Sequence, residues 1–467
     1  TLRLGFESNW IDYERGPVID PDAWWTLQEE LHLEPAALER RLSAAVPQRT
    51  DLNYRLYSVT GGQRQLLLQG EEPIGNGRVV VFGEHRSRRA LVDFDVEIAQ
   101  ASFIADPLTA LVHTGSSVAV NLLPLPDGSF VAEVVARHAV AEENEPILLG
   151  YSAMDGASRN PVSFEESGLV VRLRPGTPTT LELPGRKGST FALELSVPAA
   201  AAPAKDPNLL YLPSLAKPPI GFKAPPSITA MAALGYYEGE DEDEPYRRGL
   251  DEVLDGSPGA SDYLLVMEDS GFLAFEDRVA DGVLDALRQV ALRDAESADL
   301  EVELRLFGTG RAADGEVLAR FAAPVVLDTW SGFTNGTVRE GIADWDVEVA
   351  QSARGADPIF KLVEDGVRAS LRLRNRDEIE LDLEIVTFDG FKVKSLKIGH
   401  MLLAGGGDQA GMPMQPEERV SIEEPVSSSM HMSGTYPLKA GELRMTRSSE
   451  SLFGAGTHLE VRVKVSK

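Results

Sequence analysis

The chain writes one acidic-apolar octapeptide twice, DFDVEIAQ at 93–100 and DWDVEVAQ at 344–351. A long-range internal repeat commits a chain to two copies of one supersecondary plan, and no other feature here restricts the fold as much. Over the fifteen residues that start at Asp93 and Asp344, nine positions are identical without a gap, at an offset of 251. The register carries on: Leu111, Val112 and Gly115 fall on Leu362, Val363 and Gly366. Val120 and Leu122 fall on Leu371 and Leu373, which keeps the period of two expected of a strand. Upstream, DLNYRLYSV (51–59) matches DLEVELRLF (299–307) at offset 248. Downstream, PVSFEE (161–166) matches RVSIEE (419–424) at offset 258. The order of all three matches is preserved, as a duplication requires.

Each copy opens on a helical pattern, Leu38, Leu42 and Ala45 in the first and Val283, Leu287 and Val290 in the second. Pro35 suits the first turn of the earlier helix, where its missing N–H costs nothing. Alternating segments follow, among them EVELRLF, SLRLRN, EIELDLEI and the terminal HLEVRVKV (458–465). Asn76-Gly77, Asp127-Gly128 and Asn335-Gly336 read as turns between strands. The fold class is therefore α+β, predominantly antiparallel β, with two tandem related domains each preceded by a helix. The boundaries fall at 1–198 for the first repeat and 246–467 for the second. Residues 199–245 between them are a Pro/Ala-rich linker that ends in the acidic loop EGEDEDEP (238–245).

A length of 467 residues exceeds one ordinary core, which agrees with the duplication. The formal net charge of −28 argues against a nucleic-acid backbone or an anionic membrane surface as partner, since both need a positive footprint, and leaves membrane contact open. The absence of cysteine excludes disulfides, thiolate metal sites and thiol nucleophiles. No stretch reaches the roughly 18–20 apolar residues of a membrane-spanning helix, while barrel strands would leave only a weak hydropathy signal. The chain starts at Thr1, and the expectation is an exported protein whose signal peptide has been removed.

Candidate sites are few. A strand places Asp93, Asp95 and Glu97 on one face of the first octapeptide, and Asp344, Asp346 and Glu348 on one face of the second. Three carboxylates in line could bind Ca²⁺ or meet a neighbouring subunit. Ca²⁺, however, takes about 6–8 oxygens, generally gathered by a loop, and one strand supplies few. Both copies also keep the apolar face, Phe94, Val96 and Ile98 against Trp345, Val347 and Val349, as scaffold would. The Met-rich stretches GMPMQP (411–416) and SMHMSG (429–434) offer thioethers and an imidazole. Met430 and Met432 alternate on one strand face, the ordinary pattern of a packed β-layer. His85 and His138 have no motif partner. GGGDQAG (405–411) reads as a hairpin tip, and GYSAM (150–154) lacks the second Gly of a nucleophile elbow. The residues assign no catalytic, cofactor or metal ligand, and the chain is not expected to be an enzyme.

The second copy resembles the core domain of bacterial secretins, the channels of type II and III secretion and type IV pili, in its planctomycete and myxobacterial-like forms. The resemblance is carried by LEVELRLF, by APVVLDTWSGFTNGTVREGIADWDVEVAQ (323–351) and by ADPIFKLVEDGVRASLRLRNRDEIELDLEI (356–385). It continues in RVSIEEP with MHMSGTYPLKAGELRM (419–445), where Lys439-Ala440-Gly441 stands at the family's turn. The first copy carries a fainter version in NPVSFEESGLVVRLRPGTPTTLEL (160–183). The resemblance implies a structural subunit of the cell envelope, in periplasm, outer membrane or surface, that oligomerises with itself into a ring, barrel or tube. The alternatives are a surface adhesin or glycan-binding module presenting Trp24, Trp25, Tyr236 and Tyr237, and a hydrolase working through Asp95 and Asp346.

Overall fold

Alternation of apolar and polar side chains dominates the chain, and strands are what it builds. In the computed structural model the described residues are 49–75, 80–99, 102–146, 158–159, 161–185, 189–199, 209–216, 264–267, 270–275, 288–289, 291–293, 295–308, 315–350, 353–397, 419–448 and 456–466. They are 82% strand and 2% helix, and every strand pairing is antiparallel. The expected β-rich class stands. Of the two expected helices, the first lies outside the described residues. The second is represented by helical residues 288, 289 and 291–293, beside its patterned Val283, Leu287 and Val290, which lie outside them.

The first half runs β1 (Arg49–Thr60), β2 (Gln63–Gly75), β3 (Val80–Ala99), β4 (Ser102–Pro124) and β5 (Phe130–Ala141). A short rung of β6 (Glu145–Pro146) and β7 (Ser158–Arg159) leads to β8 (Val162–Leu173), β9 (Thr179–Pro184) and β10 (Thr190–Ser196). β11 (Leu209–Ala216) of the spacer forms a separate three-stranded sheet with β12 (Leu264–Met267) and β13 (Ser270–Phe275), which lie beyond its expected end at 245, so part of the Pro-rich stretch is paired strand. The second half runs β14 (Ser297–Phe307), β15 (Glu316–Val326), β16 (Trp330–Ala350) and β17 (Ala353–Asn375). It ends with β18 (Glu378–Lys397), β19 (Arg419–Pro437), β20 (Glu442–Ser448) and β21 (His458–Ser466).

The two halves pair by the same scheme. In each, a row of four strands (β2-β1-β10-β9, then β15-β14-β21-β20) accompanies a second row of four (β3-β4-β5-β8, then β16-β17-β18-β19). Irregularities repeat as well. The bulge after Leu56 recurs after Leu304 at offset 248, and the bulge after Leu91 recurs after Ile342 at offset 251. The downstream match is different. Ladder partners lead from Gly115 through Ala139 to Phe164, and from the corresponding Gly366 through Val386 to Ser429. The structural offset from β8 to β19 is therefore 265 (Phe164 to Ser429), not the 258 of the sequence match. A shift of seven is odd and would exchange the two faces of the strand.

Inward-facing side chains of both rows and both halves meet in one core cluster. It joins Leu52, Leu56, Leu193 and Val302 of one row with Val120, Val134, Val171, Leu371 and Leu383 of the other. Phe321 of β15 and Phe333 of β16 stack across it with centroids 6.2 Å apart. The burial pattern of β14 shows the mechanism: Ala298, Leu300, Val302, Leu304 and Leu306 point in, while the intervening charged residues do not.

Candidate functional site

The most elaborated place in the molecule is the seam where the first half meets the second. β8 and β16 pair over seven residues, from Val162↔Val338 to Gly168↔Gly332. This makes one continuous row, β3-β4-β5-β8-β16-β17-β18-β19. The other row joins more sparely, through Ala322 of β15 opposite Glu182 of β9, and an Arg320–Glu182 ion pair at 3.3 Å crosses there.

Because β16 has a neighbour on each edge and a layer on its face, residues 331–337 are all buried. Most buried polar side chains find a partner, although Ser331 Oγ and Thr334 Oγ1 here do not. Asn335 does: its Nδ2 donates to Gly185 O at 2.9 Å and its Oδ1 accepts from Val367 N at 3.3 Å. The expected Asn335-Gly336 turn is thus corrected to mid-strand, with Asn335 acting as a clamp between elements. Gly336 is required by crowding, since a Cβ there would run into Asp365 O, and one on Gly366 would run into Asn335 O. Thr337 N donates to Asp365 Oδ1 at 3.0 Å, and Arg339 Nη1 to Asp365 Oδ2 at 3.1 Å. Across the seam Thr337 Oγ1 and Ser163 Oγ lie 3.3 Å apart, and Ser163 also donates to Glu142. The two other expected turns divide: Asp127-Gly128 is a turn, with Gly128 at φ 85°, and Asn76-Gly77 lies outside the described residues.

Toward the hairpin ends a second contact latches the halves. Arg159 of the first half donates to Glu423 Oε1 at 2.5 Å and stacks 4.4 Å above the Phe391 ring. Glu423 Oε2 accepts from Ile342 N at 3.1 Å, and both members of the ion pair are buried. Trp345 Nε1 donates to Ser421 O at 2.8 Å, so the second octapeptide is pinned to β19 by its aromatic member.

The acidic octapeptides occupy corresponding places, each just beyond its bulge on the outer arm of a hairpin. Asp93, Asp95 and Glu97 stand opposite Leu108, Asp106 and Ile104. Asp344, Asp346 and Glu348 stand opposite Ile359, Asp357 and Gly355. Asp344 is exposed and accepts from Trp345 N at 2.8 Å; the side chains of the other five lie outside the described ones. Among the described residues no group of three or more His, Asp and Glu is gathered as a metal site.

Met432 is buried in the core and Met430 packs against it, while Met412 and Met414 lie outside the described residues. His431 turns the other way and meets Asp382 Oδ1 at 2.7 Å. His138 lies 2.8 Å from Ser116 Oγ, and burial holds its pKa below the usual imidazole range. Trp24, Trp25, Tyr236 and Tyr237, GYSAM and GGGDQAG lie outside the described residues, as does the side chain of His85.

Two polar features went unread in the sequence. Glu133, opposite Asn121 on the β4–β5 ladder, is buried and its carboxyl is pushed up to about 8, although Asn121 donates to it at 3.0 Å. Arg172 spans Ser129 Oγ (3.0 Å), Asp127 Oδ2 (2.5 Å) and Ala295 O (3.3 Å). Burial raises the Asp127 pKa, but its bonds from Ser129 and the charge of Arg172 outweigh that and hold it low.

Both rows end in strands paired on one side only among the described residues: β3 and β19 in one, β2 and β20 in the other. Among these residues no helix is long and apolar enough to cross a membrane. No family model, curated protein or solved structure matches the chain.

Proposed function

We propose that this chain is a structural subunit of a bacterial cell-envelope assembly, and that it oligomerises with itself through its secretin-like β-rows into a ring, barrel or tube. The observation that carries this is the β8–β16 seam, in which one four-stranded unit is extended edge to edge by the next. Long edge strands with unpaired N–H and C=O groups are a liability unless another strand covers them. β3 at 20 residues and β19 at 19 residues are long by that standard. Closure of a ring of subunits removes such edges. The resemblance of the repeated segments to secretin core domains supports the envelope setting.

The test is light scattering with negative-stain electron microscopy of the purified chain. The expected result is a closed particle of many subunits. A monodisperse species at the 50.6 kDa chain mass, without rings or tubes, refutes the proposal.

A further inference from the structure

We propose that β19 of one chain pairs antiparallel with β3 of the next, in the register already written inside each chain by the β8–β16 seam. This rests on the assembly reading above and adds to it the edge, the polarity and the residue register.

The two halves repeat strand for strand, and equivalent strands fix the joint. β8 is the last strand of the first unit's row and β16 the first strand of the second unit's row. The strand that corresponds to β8 is β19, 265 residues on, and the strand that corresponds to β16 is β3, 251 residues back. Those two are the unpaired ends of the row among the described residues. Carrying the seam over sets Gly168↔Gly332 onto Ser433↔Val81 of the next chain, and Val162↔Val338 onto Ser427↔Ser87. Seven residues, Ser427–Ser433, then face Val81–Ser87.

The side chains fit this register. The seam's Phe333, buried against Phe321, has its counterpart in Phe82, which is buried and stacks on Tyr54 with centroids 4.4 Å apart. Phe82 would face Met432, also buried, and the exposed positions fall opposite each other, Gly83 against His431.

Charge points to a second copy as the occupant. In a chain of net charge −28, β3 carries Arg86, Arg88 and Arg89. The arm of β19 that would run beside them has no Lys or Arg from 420 to 437 and carries the half-exposed Glu424, which pairs with Lys394 of β18, while Glu423 is taken up inside the chain by Arg159. In the other row the same construction sets Thr446 of β20 opposite Glu71 of β2, which brings Arg444 and Arg447 alongside Glu71 and Glu72. The joint is head-to-tail, so every unit meets its neighbour as the two halves of one chain meet each other. Such a contact closes into a ring or continues as a helix, and it never stops at a dimer.

The cysteine-free chain permits a direct test. Val81→Cys and Ser433→Cys are made singly and coexpressed. An added oxidant, copper phenanthroline with dissolved oxygen, takes two electrons and two protons from each thiol pair. Cα atoms directly opposite on an antiparallel ladder stand about 4.5–5.5 Å apart, within disulfide reach. The expected result is a covalent dimer from the mixture, none from either variant alone, and a ladder of multiples from the double variant. The displaced pair, Val81→Cys with Ser427→Cys, sits about 20 Å out of register and should crosslink at least tenfold less. A second in-register pair, Gly83→Cys with His431→Cys, covers the case in which one substitution disturbs folding, checked by circular dichroism.

Self-crosslinking of Val81→Cys overturns the polarity. Equal crosslinking of the displaced pair overturns the register. Silence of both in-register pairs in particles that light scattering still shows to be large overturns the joint and leaves the assembly reading standing. A monomer by light scattering overturns both.

Discussion

Glu133 offers a sharp perturbation because burial, opposed only by a hydrogen bond from Asn121, sets the pKa of its carboxyl. It lies on the face of β5 away from the core cluster, opposite Asn121, whose amide donates to it at 3.0 Å. Burial disfavours the ionised form and pushes the carboxyl from 4.5 to about 8. The sign follows from linkage. Between these two values the folded state holds a proton that the unfolded state has released, so stability falls as pH rises from 4.5 towards 8. The window spans about 3.5 pKa units, and at about 1.4 kcal/mol per unit the full loss is about 5 kcal/mol. Replacement Glu133→Gln keeps the shape and an acceptor for Asn121 but cannot ionise. Urea melts of both proteins at steps from pH 5 to pH 8.5 should show the variant gaining on the parent with pH, by about 3 kcal/mol or more at pH 8. Taking the difference between the two cancels the repulsion of the other acidic groups. A difference that stays constant across this range refutes the claim that Glu133 is neutral in the fold.

Four further outcomes follow from packing. Arg159→Met should cost about 3–5 kcal/mol, because Glu423 keeps a buried charge without its partner. Arg159→Met combined with Glu423→Gln should cost less than the two single changes together, in a double-mutant cycle by urea melts. Gly366→Ala should cost about 2–4 kcal/mol or prevent folding, since φ is 142° and the new methyl meets Asn335 O; calorimetry of the variant decides this. Phe321→Ala should cost about 3–5 kcal/mol by leaving Phe333 facing a cavity, and its unfolding midpoint checks that.

The strands were legible where one face is buried and the other is not. SADLEVELRLF announces β14 because its alternation matches a layer that the rest of the chain supplies. The octapeptides and the matches at offsets 248 and 251 carried true register, since the bulges recur at those spacings. PVSFEE and RVSIEE misled because two alternating segments match at several offsets, and only the ladder partners decide among them. Asn335-Gly336 misled for a related reason. Asn-Gly is a turn signal when the chain is alone, but here Gly185 O and Val367 N, distant in sequence, take up the amide. The seam itself left no local signal, because a pairing between halves is set by the fold of both.

The two halves share a scaffold but not an outer surface, and that difference defines the true unit of any assembly. On the first half, Leu123, Leu125 and Val131 form an apolar patch that Leu292 and Ala295, from the segment before β14, cover. Arg172 fastens that cover through Ala295 O and the Asp127–Ser129 turn. At the corresponding positions of the second half, 251 residues on from β4 and 247 on from β5, Leu123 becomes Arg374 and Val131 becomes Glu378. There Arg374 pairs with Glu380 at 2.9 Å on an exposed surface, and these two positions offer no apolar seat for a second covering segment. The segment ahead of the second half thus seats its apolar side chains on the first half, while its Glu296 pairs with Arg376 of the second, and it adds a staple to the seam. A row built of these chains would alternate an apolar outer face with a charged one. Its repeat is the whole chain, even though its strands repeat every half.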